Sequence, residues 1–240
     1  MLGIRYREVS RLEGFSDAVF GFALTLLVVS LETPNDFQAL RQMVTSFLPF
    51  ALMFAMVCWI WYEHNLFFRR YGMQDAWTVF LNCILLFVVL FYVYPLRFLT
   101  TALMGQLRLI PAGNHPTFDG MSPTDSALLM ILYSTGVLII FSVFVLLHRH
   151  AWQQRRALEL SPLEEVQLKF RARGHGISAL LAVVSLGLVF AIPQFPAFAG
   201  MIYGLMGPLH AWNGYRGGAA QEKLKAATAI DPATTSTGTA

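Results

Sequence analysis

The sequence contains little charge and almost no cysteine. Only 13% of its 240 residues are Asp, Glu, Lys or Arg, whereas 56% are hydrophobic, and a mean hydropathy of +0.55 is too high for a soluble domain. The two cysteines, Cys58 and Cys83, lie inside apolar runs, where a thiol behaves as a small hydrophobic group. No disulfide framework or thiolate metal site is therefore predicted, and the composition indicates an integral membrane protein.

Enzyme motifs are missing as well. The sequence has no nucleophile-and-base signature, no Walker loop and no metalloprotease motif, and the potassium-filter sequence TVGYG is also absent. His148 and His150 have no third metal ligand beside them, and such pairs at a helix end are more often interfacial. The net charge of +3 is explained by an uneven distribution of Lys and Arg between loops. We therefore predict no enzymatic activity, no cofactor, no resident metal and no nucleic-acid partner.

Six apolar segments are long enough to be membrane helices: about 14–31, 44–62, 77–98, 126–147, 176–193 and 196–212. Most Lys and Arg residues fall at the N-terminus and after the second, fourth and sixth segments, which places them on one side of the membrane. The positive-inside rule then predicts six crossings with both termini in the cytoplasm. Asp17 interrupts the first apolar run and no cleavage site follows, so the first span is expected to remain in the mature protein.

Two segments outside the spans carry their own signatures. Ser161, Pro162 and Glu164 form a capping-box pattern, which predicts a short cytoplasmic amphipathic helix between spans four and five. The basic residues around it could contact anionic lipid headgroups, although a solvated loop that obeys the sidedness rule is the favoured interpretation. Residues 217–240 are rich in Ala, Thr, Ser and Gly and are predicted to form a disordered cytoplasmic tail. Residues 1–216 are predicted to form the membrane domain.

Polar side chains inside the spans are the main candidates for functional or structural sites, because they are costly in hydrocarbon without partners. They are, in chain order, Ser16, Asp17, Trp61, His64 and Asn82. The candidate partners of Asp17 are His64, Asn82 and Arg11, and the sequence does not choose among them.

A stripe of four residues runs along the first span. At about 100° per residue, Phe22, Thr25, Leu26 and Val29 fall within about 100° of one another, whereas Asp17 lies about 140° from Phe22. Composition alone favours ordinary helix packing for such a stripe of large apolar residues with one hydroxyl.

The first span also carries a specific motif. Four residues spaced as R-x-x-x-F-S-D precede the run AVFGFALTLLVVSLE: Arg11, Phe15, Ser16 and Asp17. This signature resembles the first helix of the transmembrane protein 175 family, which comprises the lysosomal potassium channel and its prokaryotic relatives. Four later residues resemble positions in that family's second and third helices: Trp61, His64, Asn82 and Pro95. Beyond residue 105 only the number of spans agrees.

The resemblance implies a homotetramer of six-helix subunits in the plasma membrane of a prokaryote, with a central pore lined by the first helix. It implies a leak-type, potassium-selective channel whose permeant ion is potassium. The signature Arg, Phe, Ser and Asp would hold helices together, supported by three polar residues: Trp61, His64 and Asn82. Phe22 then matches the narrow hydrophobic constriction, Thr25 the hydroxyl layer linked to selectivity, and Leu26 and Val29 the wider apolar layers of the gate.

The sequence departs from the family pattern at the constriction. Bacterial relatives usually have Ile or Leu there, and Phe22 is bulkier. Two alternatives therefore stay open: a secondary transporter that uses Asp17 as a coupled proton site, and a non-conducting scaffold sealed by Phe22. The lack of paired repeats and broken helices argues against the transporter.

Overall fold

The structure, a computed structural model, describes residues 8–29, 35–45, 47–110, 121–192 and 197–230. Its helices are α1 (Arg11–Val29), α2 (Phe37–Thr45), α3 (Phe47–Tyr71), α4 (Ala76–Gln106), α5 (Pro123–Gln153), α6 (Pro162–Ala191), α7 (Ala197–Met201) and α8 (Met206–Ile230), with a 3₁₀ helix at Ile202–Leu205. Within these ranges there is no strand. Five of the helices, α1 and α3 to α6, are long and apolar enough to cross a membrane. The prediction of an all-α, multi-pass membrane protein is confirmed.

Side-chain caps fix where the long helices begin. Before α1, the backbone N–H of Glu13 donates to Ser10 Oγ at 3.2 Å and the backbone N–H of Ser10 donates to Glu13 Oε2 at 2.8 Å. Ser161 and Glu164 form the same reciprocal capping box before α6. These bonds satisfy amide groups that the first turn of a helix leaves unpaired, so both helix starts are encoded locally.

α6 is one unbroken helix of 30 residues. The prediction divided this stretch into a short helix after Ser161 and a span beginning at 176, and that division is wrong. Charged residues in the first turns lower the local hydropathy, but they find partners and do not stop the helix. Arg171, for example, donates from Nη1 to Glu63 Oε2 on α3 at 2.9 Å. The capping box therefore starts the whole helix rather than a separate one.

α8 continues far beyond the end of the sixth predicted span. The prediction of disorder from Gly217 is wrong for residues 217–230, which are helical. This stretch is rich in good helix formers, and it packs on α6: Gln167 Nε2 donates to Gln221 Oε1 at 3.1 Å, and a Cβ at Gly217 would lie 3.2 Å from Phe170. Residues 231–240 and the predicted end of span one, residues 30–31, lie outside the described residues. The sixth crossing stays a prediction, because residues 197–212 are divided between three helical elements.

The helices pack in a continuous series. α1 packs against α3 and α4, α4 packs against α5, and α6 packs against both α5 and α8. Fully buried aromatic rings fill the space between these helices: Phe20, Phe67, Phe68 and Phe144. α1 therefore lies at one edge of the bundle, where a large part of its surface remains uncovered.

Pro95 interrupts the hydrogen-bond ladder of α4, and α5 compensates for the interruption. The Tyr133 hydroxyl donates to the carbonyl of Pro95 and accepts from the backbone N–H of Leu99 at 3.1 Å. One turn earlier, the Tyr92 hydroxyl donates to the carbonyl of Leu132 at 2.7 Å. A side chain inserted into the ladder is a recognised cause of a helix bend, and here it also ties α4 to α5.

Candidate functional site

α1 has one buried face and one exposed face. Five residues on the buried face are each 5% exposed or less: Glu13, Ser16, Phe20, Ala23 and Leu27. Five exposed residues share the other face: Arg11, Phe15, Phe22, Thr25 and Val29. At about 100° per residue the two sets are centred about 160° apart. The contacts with α3 and α4 therefore cover one side of the helix and leave the other open.

The predicted stripe lies mostly on the open side. Phe22 and Val29 are 57% and 69% exposed, and Thr25 is exposed as well. Leu26 is half-buried at the edge of this face and packs against the core. Large apolar side chains in a row on the surface of a single chain require a cover of lipid or of another chain.

The hydroxyl of Thr25 has a defined orientation. Its Oγ1 donates to the carbonyl oxygen of Gly21, one turn earlier, at 2.9 Å. Because the proton is used in this bond, the oxygen lone pairs remain available as acceptors. The exposed face of α1 thus carries one layer that can accept contacts from a cation, between apolar layers that cannot.

A buried hydrogen-bonded chain joins α1, α3 and α4. Asn82 Nδ2 donates to Ser16 Oγ at 2.9 Å, and Ser16 Oγ donates to the carbonyl of Leu12 at 2.8 Å. Since the Ser16 proton is used on Leu12, the amide group of Asn82 must face Ser16, and Asn82 Oδ1 then faces His64 Nε2 at 2.8 Å. His64 therefore carries its ring proton on Nε2 in this arrangement. All three polar side chains are 1% exposed or less.

A second polar contact joins α1 and α3 beside the first. Trp61 Nε1 donates to Asp17 Oδ1 at 2.7 Å. The prediction that Asp17 pairs with His64, Asn82 or Arg11 is wrong, because Asp17 is turned about 100° from Ser16 and meets α3 one turn away from His64. A tryptophan N–H removed from water usually finds a hydrogen-bond acceptor. The position of Trp61 within a membrane span, three residues before His64, is the sequence signal for this pair.

The other two residues of the signature motif lie elsewhere. Arg11 and Phe15 are exposed, and Phe15 falls within about 20° of Phe22 around the helix axis. Ser16 and Asp17 thus hold α1 to its neighbours, whereas a role for Arg11 and Phe15 in joining helices stays a prediction.

The two histidines near the end of α5 have separate partners. His148 Nδ1 lies 2.8 Å from the carbonyl of Phe144, and His150 Nε2 lies 3.0 Å from Asp75 Oδ1. Burial raises the pKa of the Asp75 carboxyl, but hydrogen bonds from the Thr78 side chain and backbone and from His150 outweigh it, and the net pKa lies below its ordinary value. No group of three or more potential metal ligands occurs among the described residues.

Comparisons with known proteins extend over most of the chain. Residues 11–92 match the family described as endosomal/lysosomal potassium channel TMEM175. A potassium channel of Marivirga tractuosa is 35% identical over 212 residues, which cover 85% of this chain and 86% of the relative.

Two solved structures are also similar. A crystal structure of a threonine-to-alanine variant of the potassium channel MtTMEM175, bound to a nanobody fusion protein, aligns with a TM-score of 0.79 and 34% identity and covers 89% of this chain and 95% of its own. A lysosomal potassium-selective channel TMEM175 homolog from Chamaesiphon minutus aligns with a TM-score of 0.51 and 25% identity, over 86% of this chain and 96% of its own. The similarity therefore continues well past residue 105, where the sequence motifs end.

Proposed function

We propose that this potassium-selective channel conducts as a leak-type channel. The chain belongs to the TMEM175 family of potassium channels. The relative from Marivirga tractuosa and the structure of MtTMEM175, both of which align over most of their length, are named as potassium channels. The members of this family are ion channels, not enzymes. Potassium is their permeant ion and not a cofactor. Where the ion passes is a separate inference, which rests on α1.

The open face of α1 is the observation that carries this route. Phe22, Thr25 and Val29 are exposed on a helix whose opposite face is fully packed. The hydroxyl in that row is one that a pore-lining helix can present to a cation. We therefore place the ion path along this face, with α1 helices of several subunits around a central axis.

Small residues beside the stripe support close assembly. Gly14, Ala18 and Gly21 are all exposed and lie within about 60° of one another around the axis. A Cβ at Gly14 or at Gly21 would meet no atom of the same chain within 4 Å, so packing inside the subunit does not require either glycine. In membranes such small residues let neighbouring helices approach closely, which supports a homotetramer in which one α1 packs against the next.

In the tetramer, the residues of the stripe would form successive rings along the pore axis. Four Phe22 rings form an apolar constriction that gates by dewetting, and four Thr25 hydroxyls replace part of the water around a cation. Potassium is favoured because it gives up its hydration shell more easily than sodium does. Leu26 and Val29 continue the path as wider apolar layers.

The basic residues support the proposed orientation in the plasma membrane. Arg70 near the end of α3, Arg171 in α6 and Gln221 in α8 line one cavity, so the basic segments that follow spans two, four and six lie at the same end of the bundle. By the positive-inside rule this end faces the cytoplasm, together with both termini.

Flux into and out of proteoliposomes tests the function. Vesicles loaded with potassium salt are diluted into medium with an impermeant cation, in the presence of a protonophore and a fluorescent pH indicator. We expect potassium efflux well above that of protein-free vesicles, and much slower efflux from sodium-loaded vesicles. Uphill potassium uptake driven by an imposed proton gradient, measured without the protonophore, would instead establish a transporter, and no flux under any gradient would favour the scaffold.

Mass measurement in detergent tests the assembly. Native mass spectrometry should give a particle of four chains, each of 26.9 kDa. A monomer or dimer under mild conditions would contradict a pore built from one helix per subunit.

A further inference from the structure

A cavity of about 300 Å³ lies between α3, α6 and α8, at the basic end of the bundle and away from the exposed face of α1. Apolar and polar groups both line it, and the polar side chains include Glu63, Arg70, Gln167, Arg171 and Asn213. The channel function proposed above uses none of these side chains.

Arg70 is the unusual member of the lining. It is only 5% exposed, and its Nη1 donates to Gln167 Oε1 at 3.1 Å. Its Nε and Nη2 are also buried and make no hydrogen bond of good geometry with a described residue, although the neighbouring Tyr71 hydroxyl interacts with the same guanidinium. A guanidinium stays charged at any physiological pH, and burying a charge with unsatisfied donors is costly. An acceptor placed in the cavity would remove this cost.

The other charges of the lining do not supply that acceptor. The carboxylate of Glu63 is bonded to Arg171 at 2.9 Å and lies 3.7 Å from His175 Nε2. Counting Glu63, Arg70 and Arg171, the lining therefore carries one positive charge more than it carries negative charges. Asn213 Oδ1 is buried without a partner as well, and it can accept from a hydroxyl group.

Residues adjacent in sequence to the lining are of the types found at a membrane surface. Trp212, next to Asn213, is covered by two guanidinium groups, with Arg173 at 4.5 Å and Arg216 at 5.2 Å from the ring centre. Tryptophan is enriched where membrane meets water, and basic pockets between helices on the cytoplasmic side attract anionic headgroups.

We propose that this cavity binds a phosphate group, which the free N–H groups of Arg70 hold in the two-bond geometry that guanidinium and phosphate share. The phosphate belongs either to an anionic phospholipid headgroup or to a soluble phosphate. Asn213 then accepts from a hydroxyl next to the phosphate. This proposal does not depend on the channel function.

Thermal unfolding of the purified full-length protein in detergent tests it. Added phosphatidylglycerol at saturation should raise Tm by about 5 to 10 °C, whereas phosphatidylcholine should not. Inorganic phosphate, compared with chloride at equal ionic strength, distinguishes the two sources: a rise with inorganic phosphate indicates a soluble ligand, and a rise with the lipid alone indicates a headgroup. No rise with either probe overturns the proposal.

Two pairs of variants locate the effect. Arg70→Met should abolish the rise, and Arg149→Met, which removes the same charge from an exposed position on α5, should keep it. Gly214 lines the cavity and a Cβ there meets no atom within 4 Å, so Gly214→Leu adds side-chain volume at the cavity without changing any charge, and it should also abolish the rise. Gly218→Leu, one turn further along α8 and equally open, is its control. Because Gly214→Leu retains Arg70, it tests the cavity even if Arg70→Met does not fold. A rise retained in Gly214→Leu would contradict the proposal.

Discussion

The two faces of α1 differ in polarity, and the difference has the opposite sense to that in a helix of a soluble protein. Its buried face contains polar residues such as Glu13 and Ser16, whereas its exposed face contains large apolar residues such as Phe22 and Val29. In a membrane protein, polar groups go where partners are available, and apolar groups can remain outside. The hydrogen bonds of Ser16 with α4 and of Asp17 with α3 therefore help to determine which face is inside, together with the packing of the buried apolar residues.

The two faces also differ in whether their contacts come from the same chain or from other subunits. The buried face is satisfied by contacts within one chain, through Asn82, His64 and Trp61. The exposed face has no such contacts and depends on neighbouring subunits in the proposed assembly. Substitutions on the two faces should consequently fail in different ways.

The largest expected effect is on assembly. Gly21→Leu should prevent the tetramer from forming, because the added side chain stands where the next α1 would pack while leaving the fold of the subunit intact. Gly187→Leu is a matched control, since it introduces the same residue at an equally open position on α6. Native mass spectrometry of both variants gives the answer, and a stable Gly21→Leu tetramer would refute the placement of this edge at a subunit contact.

The second largest effect is expected when a hydrogen bond of the buried face is broken. Asn82→Leu should destabilise the fold by about 1 to 3 kcal/mol, the cost of leaving a buried donor such as His64 Nε2–H unsatisfied. Ser16 keeps its bond to Leu12, which limits the loss. Cys83→Leu, at the adjacent exposed position, should leave Tm nearly unchanged. Equal Tm values for the two variants would mean that the hydrogen-bonded chain does not contribute to stability.

Phe22→Ala should raise single-channel conductance several-fold without lowering Tm, because it widens the apolar constriction and removes no contact of the buried face. Val28→Ala is the control, since Val28 is also exposed but is turned about 120° from Phe22. Recordings in planar bilayers measure both. If Phe22→Ala has the conductance of the wild type, Phe22 does not line the narrowest point.

Thr25→Val should reduce the preference for potassium over sodium at nearly constant side-chain volume, because the oxygen that accepts from the ion is lost. Thr25→Ser retains the hydroxyl and its bond to the Gly21 carbonyl, and it should preserve most of the preference. Reversal potentials under mixed potassium and sodium gradients measure the effect. Identical reversal potentials for Thr25→Val and the wild type would contradict a role for the hydroxyl in selectivity.

The smallest effect is expected at Asp75, the N-cap of α4, which belongs to neither face of α1. Asp75→Asn should lower Tm slightly at pH 7, by no more than the roughly 1 kcal/mol scale of a helix N-cap. Because the pKa of Asp75 lies below 3.8 in the folded protein, its carboxylate stabilises the fold above that pH and loses its contribution as the pH falls through the lowered pKa. The difference in Tm between wild type and variant should therefore close below about pH 3.8, and a difference that persists in acid would argue against this origin.

The parts of the fold that were predictable are those encoded within a single stretch of sequence. The apolar runs identify the five long helices, and the Ser161 capping box marks the start of α6. The division of α6 and the disorder assigned to residues 217–230 were wrong because hydropathy and composition are read locally, whereas partners such as Glu63 for Arg171 lie more than one hundred positions away in the chain.

The site was predictable to a similar degree. Helical angles and the motif identified the residues of both faces of α1, but the pairing of Asp17 with Trp61 depends on how two helices are rotated against each other. The cavity around Arg70 had no sequence signal, since three distant helices form it. The roles of Phe22, Thr25, Leu26 and Val29 in conduction stay predictions until the assembly is measured.

The unbroken course of α6 sets the height of the protein relative to the membrane. Its 30 residues span about 45 Å at about 1.5 Å each, roughly 15 Å more than the hydrocarbon core is thick. We expect the charged first turns to account for this excess and to extend beyond the hydrocarbon core at the basic end. Arg171, about ten residues from the start of α6, would then lie near the boundary between hydrocarbon and headgroups and help to set the vertical position of the bundle.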